Sequence, residues 1–197
     1  MNYEKLKKIE KKYFGCEELS KFLDISSGSA RVTCTRLVKQ SILVRLRRNL
    51  YILKDKWDVL SREEKFILAN VIQTPSYISL MTALDYYEVT TQLQRDFVES
   101  IAMHRTKEVE IEKNIFNYSK IKVDLYFGFS KEKKFFIASR EKAFLDALYF
   151  MSLKRYRFDL TSIDFGKLNT ALIQKIIKKY PRKTQKLWES YGHFART

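Results

Sequence analysis

At 197 residues, with 45% hydrophobic and 14% aromatic side chains but only 5 Gly and 2 Pro, the chain can bury a core and is expected to be ordered nearly end to end, as one large or two small domains of roughly 100–150 residues. Its 38 Lys and Arg against 23 Asp and Glu give a formal charge of +15, a field that attracts nucleic acid, an anionic membrane surface or acidic proteins. No apolar run approaches the ~18 residues that cross a bilayer, and residues 1–5 lack the apolar core of a signal peptide, so a cytoplasmic protein with no membrane partner is expected.

Residues 3–14 set Leu6, Ile9, Tyr13 and Phe14 at helical spacing beside a Lys-rich face, which predicts a first helix ended by Gly15. Residues 16–23 predict a second helix with Leu19, Phe22 and Leu23 inward. Asp24-Ile25-Ser26 is the turn, in which Ile25 plugs the space between helices and the Ser26 hydroxyl caps the next helix. Cys16 and Cys34 are too few for a disulfide framework, lack metal-ligand spacing, and read as small buried thiols packed between helices.

On the third helix, residues 27–39, a rotation of about 100° per residue puts Ala30, Cys34, Leu37, Thr33 and Val38 on the packed side. Ser29, Arg31, Val32, Thr35, Arg36 and Lys39 take the other side. That face suits the major groove of DNA, where Arg pairs bidentately with guanine and a threonine or valine methyl touches thymine. For an isolated basic helix an ordinary solvated face is the better reading, but residues 43–53 argue against it here. Residues 43–46 and 50–53 are β-rich runs about Arg47-Arg48-Asn49, and Asn49 tolerates the positive φ that such a turn needs. Arg45, Arg47 and Arg48 at one hairpin tip repel each other unless a polyanion lies nearby, so with Asn49 they form a candidate wing touching phosphates or the minor groove.

This order predicts a winged helix-turn-helix DNA-binding domain over residues 1–56, with a short charged junction at Lys54-Asp55-Lys56. Residues 1–60 hold 14 Lys and Arg against 7 Asp and Glu, net +7, whereas residues 61–197 hold 24 against 16, net +8 over more than twice the length. The head is the more basic part per residue.

Residues 57–197 predict a larger mixed α/β domain, which makes the fold class α+β. Residues 57–73 carry an amphipathic helix, and Ser61 with Glu64 fits a capping box that can start it. After the Thr74-Pro75 breaker come an extended stretch at 77–80 and a helix over 81–87. Residues 96–104, 108–121, 122–128 and 134–137 are β-rich, with an alternation that indicates a sheet solvated on one face. Ser139 caps a helix over 140–151 with Ala143, Phe144, Ala147 and Leu148 inward, and Arg140 and Asp146 serve its surface or packing. A last long helix, 167–179, is broken by Pro181 before a short one over 182–191. Lys175, Lys178, Lys179, Arg182, Lys183 and Lys186 make a candidate partner surface for an acidic or RNA-bound protein, with a solvated lysine face as the alternative.

Three segments carry a family resemblance. Leu43-Val44-Arg45-Leu46-Arg47-Arg48-Asn49-Leu50-Tyr51, Pro75-Ser76-Tyr77-Ile78-Ser79-Leu80-Met81-Thr82-Ala83-Leu84 and Ala138-Ser139-Arg140-Glu141-Lys142-Ala143-Phe144-Leu145-Asp146 resemble, in this order, the AbiEi-type antitoxins and transcriptional regulators of type IV toxin–antitoxin, phage-defence operons. The resemblance implies an N-terminal winged helix that represses its own operon, and a larger C-terminal region that counteracts a nucleotidyltransferase-like toxin, directly or indirectly. The family usually has Gly at the wing turn, where this chain has Asn49. The implied partners are double-stranded operator DNA, with an inverted repeat for two copies, and the toxin.

Catalytic constellations are sparse. His104 and His193 stand far apart beside basic residues, no Gly-rich phosphate loop occurs, and no Ser or Cys lies in a nucleophile signature. The best enzymatic candidate is Glu110-Ile111-Glu112-Lys113 with Asp96 or Asp124, faintly like a metal-dependent nuclease, though alternating Glu on a strand is far more often a solvated face. The expectation is therefore a non-enzymatic regulator without metal or cofactor. A stand-alone winged-helix regulator is the first alternative and the nuclease the second.

Overall fold

The computed structural model describes residues 6–191. The chain is a mixed α/β protein that divides into two compact units, Met1–Leu68 and Ala69–Thr197.

The first unit begins with a helical turn at residues 6–7, closed by the Ile9 N–H donating to the Leu6 carbonyl. The helix expected over 3–14 does not continue, and its residues 3–5 lie outside the described ones. Tyr13–Phe14 instead form strand β1, because both aromatic residues pair antiparallel with Ile52 and Tyr51 and Phe14 is buried in the core. Gly15 accordingly does not end a helix. It precedes α1, Cys16–Leu23, donates its N–H to Glu18, and lies so close to the Asn49 carbonyl that a Cβ would stand 3.1 Å from it. Asp24, at φ 54, closes α1, and Ser26 caps α2, Ser27–Lys39, by accepting from the Ser29 N–H.

Strands β2, Leu43–Arg47, and β3, Leu50–Leu53, form a hairpin, and the sheet runs β1-β3-β2. Leu6, Phe14, Leu19, Ala30, Cys34, Leu37, Leu43 and Leu53 share one core, with Ile25 packed against it. The expected junction at 54–56 is helical, within α3, Lys54–Asp58. The helix expected over 57–73 is α4, Arg62–Ile72, and it starts at the expected capping box, where the Ser61 and Glu64 side chains accept each other's backbone N–H, while Trp57 belongs to α3. Capping at Ser61 requires non-helical backbone there, so the two helices cannot merge.

The second unit is built on a six-stranded sheet of order β6-β7-β5-β4-β9-β8. Its strands are β4, Ser76–Ile78; β5, Phe97–Ala102; β6, Lys107–Ile111; β7, Asn114–Lys120; β8, Phe129–Glu132; and β9, Phe135–Ala138. The segment expected as one run over 108–121 is a hairpin, since Glu112 and Lys113 take φ 47 and 67. The run expected over 122–128 is a 3-10 turn, Val123–Leu125, which the left-handed Gly128 leads out of. Strand β4 pairs parallel with β9 and antiparallel with β5, and β5 pairs parallel with β7.

Helix α5, Leu80–Tyr86, follows β4, and α6, Arg140–Ser152, follows β9 under a Ser139 cap. Residues 141–150 are buried throughout, so α6 is a central helix rather than an amphipathic one. The helix expected over 167–179 shortens to α7, Thr170–Ile176, because Asn169 caps it and its end tightens into a 3-10 turn, Ile177–Lys179. Helix α8, Arg182–Tyr191, closes the described chain.

Candidate nucleic-acid interface

From Ile25 to Lys54 the sequence carries seven Lys and Arg and no Asp or Glu. On α2, Ala30, Thr33, Cys34 and Leu37 are buried, and Ser29, Arg31, Val32, Thr35, Arg36 and Lys39 are all exposed. Val32 is 71% exposed, an apolar side chain amid cations. Two hydroxyls of the face are already engaged: Ser26 donates to the Ser29 Oγ at 2.9 Å, and Thr35 donates to the Arg31 carbonyl at 3.0 Å.

Helix α2 hands over to the hairpin through a tight local frame. The Ile42 N–H donates to the Leu37 carbonyl, and the Lys54 N–H, at the hairpin's other end, donates back to the Ile42 carbonyl. On β2 the burial alternates, so Leu46 packs inward while Arg45 and Arg47 face solvent with Arg48 beyond them. The register shifts between Arg45 and Arg47.

Asn49 holds the positive φ expected of it, 59°. Its side chain has a further task, because Oδ1 accepts the Cys16 N–H at 2.8 Å, one of the unpaired donors at the start of α1. A glycine at this turn supplies the backbone angle and no acceptor. Asn49 therefore fastens the hairpin tip to the first helix, a role that no local pattern announces across 33 residues.

Cys16 and Cys34 lie buried in this unit with sulfur atoms 3.5 Å apart. Burial, aided by the neighbouring Cys16 thiol, pushes the Cys34 thiol up to about 12.

The basic residues expected to form a partner surface in the second unit are spread over three elements. Lys175 is on α7, Lys178 and Lys179 are on the 3-10 turn, and Arg182, Lys183 and Lys186 are on α8; all six are exposed. Lys179 stands over the Phe127 ring at 4.5 Å, and Arg182 faces Glu189 at 3.5 Å.

A buried polar cluster in the same unit escaped the sequence reading. Asp146 on α6 is fully buried. One carboxylate oxygen accepts from Lys142, one turn earlier, and from the Tyr180 hydroxyl at 3.0 Å. The other accepts from Tyr77 at 3.0 Å and Ser79 at 2.9 Å. Burial pulls Lys142 down from the ordinary lysine value, against the opposing pull of the Asp146 charge, and pushes Tyr77 and Tyr180 well up. The Lys142 ammonium also stands 5.0–5.6 Å from the ring centres of Phe127, Tyr180 and Tyr77. Gly128, at φ +72, has Lys142 side-chain carbons 3.1–3.3 Å from where a Cβ would sit. Of the two roles expected for this pair, Asp146 takes packing, while Arg140 is at the surface and stands over the Tyr87 ring. The available signal was a Lys and an Asp four apart in a helix with no polar face.

Glu110 is exposed on the sheet-edge strand β6, Glu112 and Lys113 form the turn after it, and Asp96 and Asp124 are exposed. Among the described residues, no three His, Cys, Asp or Glu side chains gather as a metal site. His104 is exposed, and His193 lies outside the described residues. No described helix is long and apolar enough to cross a membrane.

No protein-family model matches the chain, and no curated protein matches it in sequence.

Proposed function

We propose that the protein is a sequence-specific DNA-binding transcriptional repressor whose first unit is a winged helix-turn-helix. Helix α2 enters the major groove, with Arg31, Thr35, Arg36 and Lys39 presented to it, and Arg45, Arg47 and Arg48 hold the flanking backbone or minor groove. The observation that carries this reading is the 30-residue stretch without a single acid, in which every outward side chain of α2 and every arginine of the hairpin is exposed. Cations concentrated this way, with nothing of opposite sign among them, ask for a polyanion. Repression is then steric exclusion of polymerase at an operator, with two copies on an inverted repeat.

The resemblance to AbiEi-type proteins extends the proposal to autoregulation and to antitoxin action by the second unit against a nucleotidyltransferase-like toxin. In its support, two of the three resembling segments meet: Tyr77 and Ser79 from one bind Asp146 from the other. Co-expression with the adjacent reading frame tests it. A product there with the Gly-Ser and paired aspartates of a nucleotidyltransferase, toxic alone and harmless beside this protein, is the expected result.

The DNA reading is tested by titration on a selected duplex and a scrambled one. Arg36→Ala should reduce the discrimination between them by roughly tenfold, the loss of one base contact of about 1–3 kcal/mol. Arg48→Ala should weaken both alike and lower the slope of log affinity against log salt by about one. Equal losses on both duplexes for Arg36→Ala would remove it as a base reader.

A further inference from the structure

We propose that the recognised DNA sequence presents a thymine to Val32, and that Val32 identifies this base by its 5-methyl group. The inference rests on the DNA-binding function proposed for the first unit and names what one position of that site selects.

Val32 is the large hydrophobic residue that α2 leaves in solvent, at 71% exposure. The helix gains little from it: a β-branched residue is a weaker helix former than Ala, Lys or Glu, and an exposed position offers no core to repay that. Rotation by about 100° per residue puts Val32 near the middle of the outward face, with Lys39 nearly in line with it two turns on, Gly28 and Arg36 one turn before and after it at about 40° to either side, and Arg31 further round. Gly28 carries no side chain, and a Cβ there would meet nothing closer than the Ser26 Oγ at 3.8 Å, so the approach to Val32 from the start of the helix is open. Thr35, the other residue of the face with a methyl group, has its hydroxyl bonded to the Arg31 carbonyl.

The surroundings define the occupant. Cations without acids call for phosphate, and an apolar group among them calls for an apolar patch on the same polyanion. On the major-groove edges of the four bases the one alkyl group is the thymine methyl, where cytosine carries only a hydrogen. Val32 therefore supplies what the arginines cannot, discrimination of thymine from cytosine without a hydrogen bond.

The experiment begins with duplexes selected from a random pool by the full-length protein. Each thymine of the selected sequence is replaced in turn by deoxyuridine, which differs only in the missing methyl group, and affinity is measured for the wild type and Val32→Ala. Expected is one position per recognised site where the wild type loses about fourfold, the worth of one buried methyl. Val32→Ala should lose nothing further on that substitution, since the contact is already gone. At the same position 5-methyldeoxycytidine should exceed deoxycytidine by a similar factor for the wild type and not for Val32→Ala, because only the methyl differs within that pair. A scan in which no methyl loss is suppressed by Val32→Ala overturns the inference and leaves the DNA-binding function intact. A pool that yields no sequence preferred over scrambled DNA overturns both.

Discussion

The bond between Asn49 and the start of α1 fixes an order of stabilities among substitutions at one residue. Asn49 combines a left-handed backbone, φ 59, with a side-chain oxygen that accepts the Cys16 N–H at 2.8 Å. Asn49→Gly keeps the backbone angle at no steric cost and loses the acceptor, so it should destabilise the first unit by about 1 kcal/mol, the usual worth of a capping bond. Asn49→Ala loses the acceptor and also forces a Cβ into the left-handed region, roughly 1–2 kcal/mol more. Asn49→Asp keeps both the angle and the acceptor, and adds a negative charge at a helix N-terminus, where it is favourable by about 0.3–1 kcal/mol. The expected order is Asp at or above Asn, then Gly, then Ala. Urea unfolding followed by Trp57, which is buried in this unit, in a Trp188→Phe background reads the midpoint. The same Asp places the first acid inside the basic stretch, so it should weaken DNA binding while holding stability. Asn49→Gly as stable as the wild type, or Asn49→Asp as unstable as Asn49→Ala, would refute the tether.

Asp146→Ala leaves Lys142 without its partner at a site with no solvent exposure, which costs about 3–5 kcal/mol, a large part of a typical domain's stability; a loss below about 1 kcal/mol by urea unfolding would contradict the network described. Glu99 accepts from the Met81 N–H and the Tyr156 hydroxyl in the second unit, and burial, opposed by those bonds, raises its carboxyl from 4.5 to about 7. The folded state therefore holds this proton more tightly than the unfolded one, so stability is present below pH 4.5 and is lost as pH rises through 7, by about 3 kcal/mol in all. Glu99→Gln should remove that slope, with its melting temperature gaining on the wild type between about pH 5 and 8; parallel curves would refute it. The Cys34 thiol, pushed up to about 12 and buried, should resist iodoacetamide at about pH 8 until urea is added, and prompt labelling of native protein would contradict its burial.

Where the chain announces an element locally, the sequence and the structure coincide. Helices α1 and α2 fall at Cys16–Leu23 and Ser27–Lys39 because the apolar spacing and the Ser26 cap are written into consecutive residues. Where a partner distant in sequence decides, they part. Tyr13 and Phe14 continue a helical pattern, yet pairing with β3, nearly forty residues on, makes them a strand. Glu112 and Lys113 look like strand residues until their left-handed angles turn the chain. In the candidate site, the exposure of Ser29, Arg31, Val32, Thr35, Arg36 and Lys39 follows from helical periodicity, whereas the Asn49 tether needs the fold to bring residue 49 to residue 16. The Asp146 cluster was hidden for the opposite reason. A Lys and an Asp at i and i+4 ordinarily signal a solvated helix face, and only the sheet and Tyr180 turn that face into core.

The distribution of charge decides which measurement bears on the proposed function. In the second unit the acids Asp85, Glu99, Glu141 and Asp146 are buried, and Lys142 is the one buried cation among its described residues. That unit nevertheless carries 22 Lys and Arg against 14 Asp and Glu over residues 69–197, so its own outward field is positive. On the proposed DNA-binding function, each basic unit adds affinity without regard to sequence, and total affinity should fall steeply with salt whichever residues make the contacts. Tight binding to DNA is consequently weak support for a reader helix, because the lysines of α7 and α8 would produce it unaided. Discrimination has no such second source: a difference between two duplexes of equal length and charge, lost with Arg36 or with Val32 and kept without Arg48, comes from the first unit.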